Sequence, residues 1–274
     1  MTRNRRQDCL KKLLVEAAVG LGLLSVVLTP NYPVTGQVGS SDSGWVSIFN
    51  GKNLEGWYTY LPSTGRNSDP KGVFKVHDGM IHILDIPVTA ENQEMGYIAT
   101  EKEYSNCRIR LEFKWGEKRF PPRAQTPRDS GLLYCVVGPD KVWPRSVECQ
   151  IMETDTGSFY LIDRVRMTTT IESQEKHRYV KGGVEYTEMG KAFAPILRTE
   201  DYENPTAWNT VEVILDGDRA THIINGKIAN YGWDRRQPDP NDPTRYIPLT
   251  KGRLLLQAEG AEVFYRNVQV KPLP

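Results

Sequence analysis

Apolar and polar residues alternate one by one over short runs along most of this chain, and hardly any stretch repeats at a helical spacing. Alternation of period two is the mark of a strand, because successive side chains leave the backbone on opposite faces. Residues 72–76 and 80–84 flank His77-Asp78-Gly79, and an Asp-Gly pair between two such runs predicts a tight hairpin. Residues 108–115 alternate without a break. Residues 210–215 lead into Asp216-Gly217-Asp218, and residues 220–224 lead into Asn225-Gly226, a second hairpin turn. Residues 253–257 and 263–270 complete the series. Many short strands joined by tight turns predict an all-β sandwich or barrel.

Three stretches break the alternation. Residues 119–128 are rich in proline and arginine; residues 172–207 are long and polar, with Tyr179, Tyr186, Phe193 and Tyr202; residues 232–248 hold four prolines and Trp233. They are expected to be irregular. Irregular segments of this length are uncommon in a β domain unless they build a site.

The chain divides into two parts. Residues 1–43 read as an export signal and linker: a basic start (Arg3, Arg5, Arg6, Lys11, Lys12), an apolar stretch over 13–28 broken by Glu16, then a Gly/Ser-rich segment. The expected location is therefore periplasmic or extracellular, with no stable membrane span once the signal is removed. Residues 44–273 form one β domain. The formal net charge of +1 argues against nucleic acid as a partner. Beyond the signal stand Cys107, Cys135 and Cys149, all in apolar runs, which favours buried free thiols, with a Cys135–Cys149 bridge as the alternative. No cysteine or histidine cluster has zinc spacing, and His77 and His82 read as hairpin surface residues.

The run 146–153 carries the clearest chemical signal. Val147, Cys149 and Ile151 face one way, so Glu148 and Gln150 point together the other way. A carboxylate beside an amide on a sheet suits a sugar-binding cleft, and it also occurs on solvated faces.

The opening 45–57 (Trp45-Val46-Ser47-Ile48-Phe49-Asn50-Gly51 through Gly56-Trp57), Asp129-Ser130-Gly131, Glu148-x-Gln150, Trp208-Asn209, His222-x-x-Asn225-Gly226, Leu256-Gln257 and Phe264-Tyr265-Arg266-Asn267-Val268 occur in this order. As an ordered set they resemble the bacterial 3-keto-disaccharide hydrolase domain family. The resemblance implies a concanavalin-A-like jelly-roll sandwich of two curved antiparallel sheets. It also implies cleavage of glycosides already oxidised to a ketone at sugar C3. That ketone acidifies the C2 proton, so a base can remove it while the C1 substituent leaves, and water then adds to the enone. Such a site needs a base, a donor to the enolate oxygen and an acid for the leaving group. Glu148 is the first choice for acid or base, with His222 as its partner, although His222 shares its strand side with Ile224 and reads equally as a core histidine. Expected substrate contacts are Gln150, Gln257, Arg128, Asp129, Tyr134, Trp143, Asn225 and, at lower rank, Glu153. Asn225 reads first as a turn residue, and Arg128 reads equally as a surface ion pair. No dinucleotide fingerprint is present and no cofactor is identified. Such folds sometimes carry structural calcium, which nothing here demands. The expected partners are a glycoside substrate and an upstream sugar 3-oxidase.

Two other readings use the same residues. A non-catalytic carbohydrate-binding module would employ the same amides and aromatics. A conventional retaining glucanase needs two flanking carboxylates, and here the Glu148 strand continues with Gln150 and Met152, so this reading ranks low.

Overall fold

The computed structural model describes residues 44–274; the expected signal and linker over 1–43 lie outside the described residues. Every regular element among the described residues is a β-strand. They form two antiparallel sheets, one of eleven strands and one of eight. The eight-stranded sheet runs Phe193–Ile196, Phe159–Ile162, Arg145–Met152, Asp129–Val137, Arg253–Ala258, Gly96–Thr100, Trp57–Leu61, Gly65–Arg66. The main path of the other sheet runs Val184–Glu188, Arg166–Ile171, Lys227–Pro238, Arg219–Ile224, Asn209–Asp216, Cys107–Arg119, Ala261–Pro272, Met80–Ile83, Phe74–His77. This is the concanavalin-A-like jelly-roll sandwich that the sequence implied.

The alternation read from the sequence is the alternation of burial. Along Cys107–Trp115 every second residue is buried. The inner faces of both sheets meet in one core that includes Ile109, Leu111, Phe113, Val147, Ile151, Val211, Val213 and Leu256. Each large apolar side chain buried in this way contributes about 1.5–3 kcal/mol relative to exposure. Cys107, Cys135 and Cys149 are free thiols, also buried in this core, so the Cys135–Cys149 bridge is not formed. Both predicted hairpin turns are present. Asp78 and Gly79 have φ of 52° and 75°, and Asn225 and Gly226 have φ of 48° and 79°, the left-handed pairs that a two-residue turn between twisted strands needs.

Two of the three stretches expected to be irregular contain strands. The segment 172–207 supplies Val184–Glu188 and Phe193–Ile196, which sit at the outer edge of the eleven- and the eight-stranded sheet respectively. Edge strands have a neighbour on one side only, so they tolerate the polar composition that hid them. The strand Lys227–Pro238 runs on through Trp233 and pairs with Tyr246–Pro248. Its only proline, Pro238, is the last residue, where the missing N–H costs least. Residues 120–128 are irregular, as expected.

Candidate functional site

The strands Asp129–Val137 and Arg145–Met152 pair so that Gly131 lies opposite Gln150 and Leu133 opposite Glu148. Val147, Cys149 and Ile151 enter the core, so Glu148 and Gln150 occupy the sheet's other, outer face. From the neighbouring strand Leu256 pairs with Leu132, which puts Gln257 level with Gly131 on that same outer face. This face is covered: Glu148, Gln150, Asp129 and Gln257 are each no more than 5 % exposed.

Gly131 makes the floor. A Cβ at this position would overlap Glu148 Oε1 and Gln257 Oε1, at 2.0 and 2.3 Å, so both side chains pack directly over the glycine and no larger residue fits beneath them. Neither oxygen receives a hydrogen bond, and Asp129 Oδ1 lacks one as well. Buried polar atoms without partners are rare in native proteins and call for a water, an ion, a ligand or a catalytic role at that place.

The surrounding charges are mostly negative. Asp129 is paired with Arg123, which also holds Glu259 Oε1 at 3.2 Å. Asp155 accepts from Ser158 Oγ at 2.6 Å and lies 3.7 Å from Arg198. Among the described residues Glu148 has no cation at ion-pair distance. Burial, and then the negative charges of Glu259, Asp129 and Asp155, push its carboxyl well above the ordinary range. Asp129 and Glu259 are also raised, chiefly by burial, with Arg123 acting against the shift.

Beside this polar cluster the same face carries an apolar cluster of Tyr58, Tyr97, Leu133, Leu255, Ile162 and Trp143. Tyr97 stacks on Tyr60 at 5.0 Å, and both Tyr58 and Tyr97 donate to Asp140 Oδ1, at 2.7 and 2.8 Å.

The model of the 3-keto-α-glucoside-1,2-lyase-like domain matches residues 44–271, almost all of the described chain. The chain belongs to this family. Membership places it among carbohydrate-active proteins. A candidate glycosyl hydrolase from Parabacteroides distasonis is 23 % identical with a TM-score of 0.51, covering 84 % of this chain and 94 % of its own. A second from the same organism is 20 % identical with a TM-score of 0.49, covering 84 % and 99 %. A Bacillus licheniformis β-glucanase is 11 % identical with a TM-score of 0.45, covering 85 % and 100 %. At 23 % identity the first of these is a likeness of fold alone. No curated protein matches the chain.

In this 3-keto-α-glucoside-1,2-lyase-like domain, the polar cluster gathers Glu148, Gln150, Gln257 and Asp129 from the expected set, with Trp143 in the adjoining apolar cluster. It does not gather the rest. His222 lies in the core, fully buried, between Tyr134 Oη and the Gly157 carbonyl, each at 3.0 Å. Tyr134 lies opposite Val147, on the core side of its strand, so neither residue reaches Glu148. Burial drops the His222 pKa to about 3, which keeps the ring neutral and unsuited to proton shuttling near neutrality. Asn225 serves its turn: its amide donates to the Tyr202 carbonyl and to Asn209 Oδ1, and its Oδ1 accepts from the Thr210 N–H. Arg128 and Glu153 pair with each other at 2.6 Å, and the Arg128 guanidinium lies 5.4 Å from the Trp115 ring, so both are spent on structure. The arginine that meets Asp129 is Arg123, from the proline-rich loop. Arg123 and Glu259 were missed by the sequence reading. Glu259 follows Leu255 and Gln257 at the same parity, a signal that was available; nothing local singles out Arg123.

Proposed function

We propose that this chain cleaves 3-keto-α-glycosides by elimination across C1 and C2, with Glu148 as the general acid. The observation that carries this reading is the Glu148 carboxyl itself: buried, unpaired by any cation, and leaning with Gln257 over a glycine floor. A carboxyl held neutral near pH 7 can protonate a departing oxygen. The Asp129–Glu259 pair, kept partly ionised by Arg123, supplies the base. In the proposed step that base takes the C2 proton, the C1–O bond breaks, and the glycosidic oxygen receives the Glu148 proton. The C2–H electron pair becomes the C1=C2 bond, conjugated with the C3 ketone. Water then adds at C1 and completes a net hydrolysis. Gln257 and Gln150 hold sugar hydroxyls, and the Tyr97–Trp143 cluster forms the apolar wall. The family name supports both the 3-keto substrate and the α anomer.

Such a reaction needs a supplier. An oxidase or dehydrogenase that converts the sugar C3 hydroxyl to a ketone must act first, and with an exported chain this takes place in the periplasm or outside the cell.

The test is incubation of the purified protein with an α-glucoside and with its 3-keto form, following aglycone release by mass spectrometry. Release from the keto form alone is the expected result. Release from both points to ordinary hydrolysis and removes the elimination step. Binding without release from either would instead support the non-catalytic carbohydrate-binding reading, which the aromatic cluster also suits.

A further inference from the structure

A second group of titratable side chains lies on the outer face of the other sheet, away from the Glu148 cluster. In the hairpin Phe74–His77/Met80–Ile83, Lys75 pairs with His82 and His77 with Met80, which places His77 and His82 diagonally on one face. The hairpin pattern predicts both at the surface, but His82 is buried, its ring stacked on Phe264 at 4.0 Å. His77, His82 and Asp85 each offer one ligand atom, and these atoms all lie within 4.8 Å of one another.

We propose that His77 Nε2, His82 Nδ1 and Asp85 Oδ2 bind a zinc-class divalent cation. The tautomer of His82 is fixed for this purpose. Its Nε2 lies 2.9 Å from Glu262 Oε1, so that nitrogen carries the proton and Nδ1 presents its lone pair to the cluster. Glu262 is itself held in place: its Oε2 accepts the backbone N–H groups of Glu117 and Lys118 at 2.8 and 3.1 Å, and the side chain folds over Gly116, where a Cβ would meet it at 2.2 Å. A carboxylate gripping the far nitrogen of a ligating histidine is the usual outer support of a metal site.

His77 Nε2 lies 2.8 Å from His82 Nδ1, sharing a proton with it. The metal takes the place of that proton. Two zinc–nitrogen bonds of about 2.0–2.1 Å in tetrahedral geometry separate the nitrogens by about 3.4 Å, and the part-exposed His77 can rotate outward to give that spacing. Asp85 Oδ2 is 3.6 Å from His82 Nδ1. Lys118 engages the other oxygen, Oδ1, at 2.8 Å, and Glu262 Oε1 at 3.2 Å. Lys75 also approaches Oδ2, at 3.4 Å, but its shorter bond is to the Asp85 carbonyl at 2.7 Å. Asp78, 2.9 Å from His77 Nδ1, supports the second histidine as Glu262 supports the first. Two histidines and one carboxylate leave the fourth position to water, the donor set that suits zinc.

The experiment is calorimetric titration of the full chain with zinc chloride at pH 7.5, with X-ray absorption at the zinc edge on the loaded protein. The expected result is one zinc per chain with two nitrogen ligands at about 2.0–2.1 Å. Glu262→Gln should weaken binding about 10- to 100-fold, as loss of an outer support does elsewhere. His77→Ala and Asp85→Asn, both at part-exposed positions that leave the core intact, should abolish it. Absence of saturable binding, or affinity unchanged in both of these variants, overturns the proposal.

Discussion

Four acids, Glu148, Asp129, Glu259 and Asp155, influence one another in the candidate site, and the two arginines nearby serve the other three. Glu148 therefore carries its proton at a pH where an exposed glutamate has lost it. Glu148→Gln keeps the shape but has no proton to give. Turnover on a 3-keto-glucoside should fall by about two to four orders of magnitude, with circular dichroism unchanged. An active Glu148→Gln protein would end the acid assignment. His222→Ala should behave in the opposite way. It strips a fully buried ring from the core and leaves Tyr134 Oη and the Gly157 carbonyl without their partner. The expected cost is about 2–5 kcal/mol in chemical denaturation, with turnover of the protein that remains folded within a few-fold of the parent.

Elements explain why some of the site was legible and the rest was not. Glu148 and Gln150 could be read because a strand's period of two is local: once Val147, Cys149 and Ile151 are assigned to the core, the others follow. The same rule puts His222 with Ile224, on the core side, and the core-histidine alternative was the one the packing selected. Arg123 could not be read, since an irregular loop has no period and its direction is set by contacts far along the chain, here Asp129 and Glu259. The strands in 172–207 were hidden because edge position relaxes their composition. The loop 120–128 thus supplies the one cation shared by two neighbouring buried acids. Arg123→Met should leave the protein nearly as stable as the parent at pH 5, where both acids hold protons. At pH 8 ionisation would put two unpaired charges close together, and the variant should lose much of its stability. Melting temperatures at the two pH values decide this; an equal loss at both would mean that Arg123 acts through packing alone.

The whole molecule integrates these groups into one dependence of stability on pH. Glu148, Asp129, Glu259 and Asp155 all hold protons more tightly folded than unfolded, because burial opposes their ionised forms. Their contribution is complete below the ordinary carboxylate range, about pH 4, and is lost as pH rises through their raised folded values. His222 works from the other side. Its pKa of about 3 in the fold favours the folded state above the ordinary histidine value of about 6.5 and gives that up as pH falls toward 3. Asp85, drawn down to about 2 chiefly by its hydrogen bond from Lys118, also acts on the acid side. Above pH 7 these two are constant and the buried acids set the slope, joined toward pH 9 by the thiols of Cys107, Cys135 and Cys149, which burial also raises, so the melting temperature should fall steadily between pH 7 and 9. Glu148→Gln removes one of them and should flatten that slope, leaving the variant more stable than the parent at pH 9 while its turnover is cut at every pH. Parallel curves for parent and variant would show that Glu148 does not hold its proton. The same proton would then be missing from the proposed reaction, so a measurement of stability alone tests the chemistry of the site.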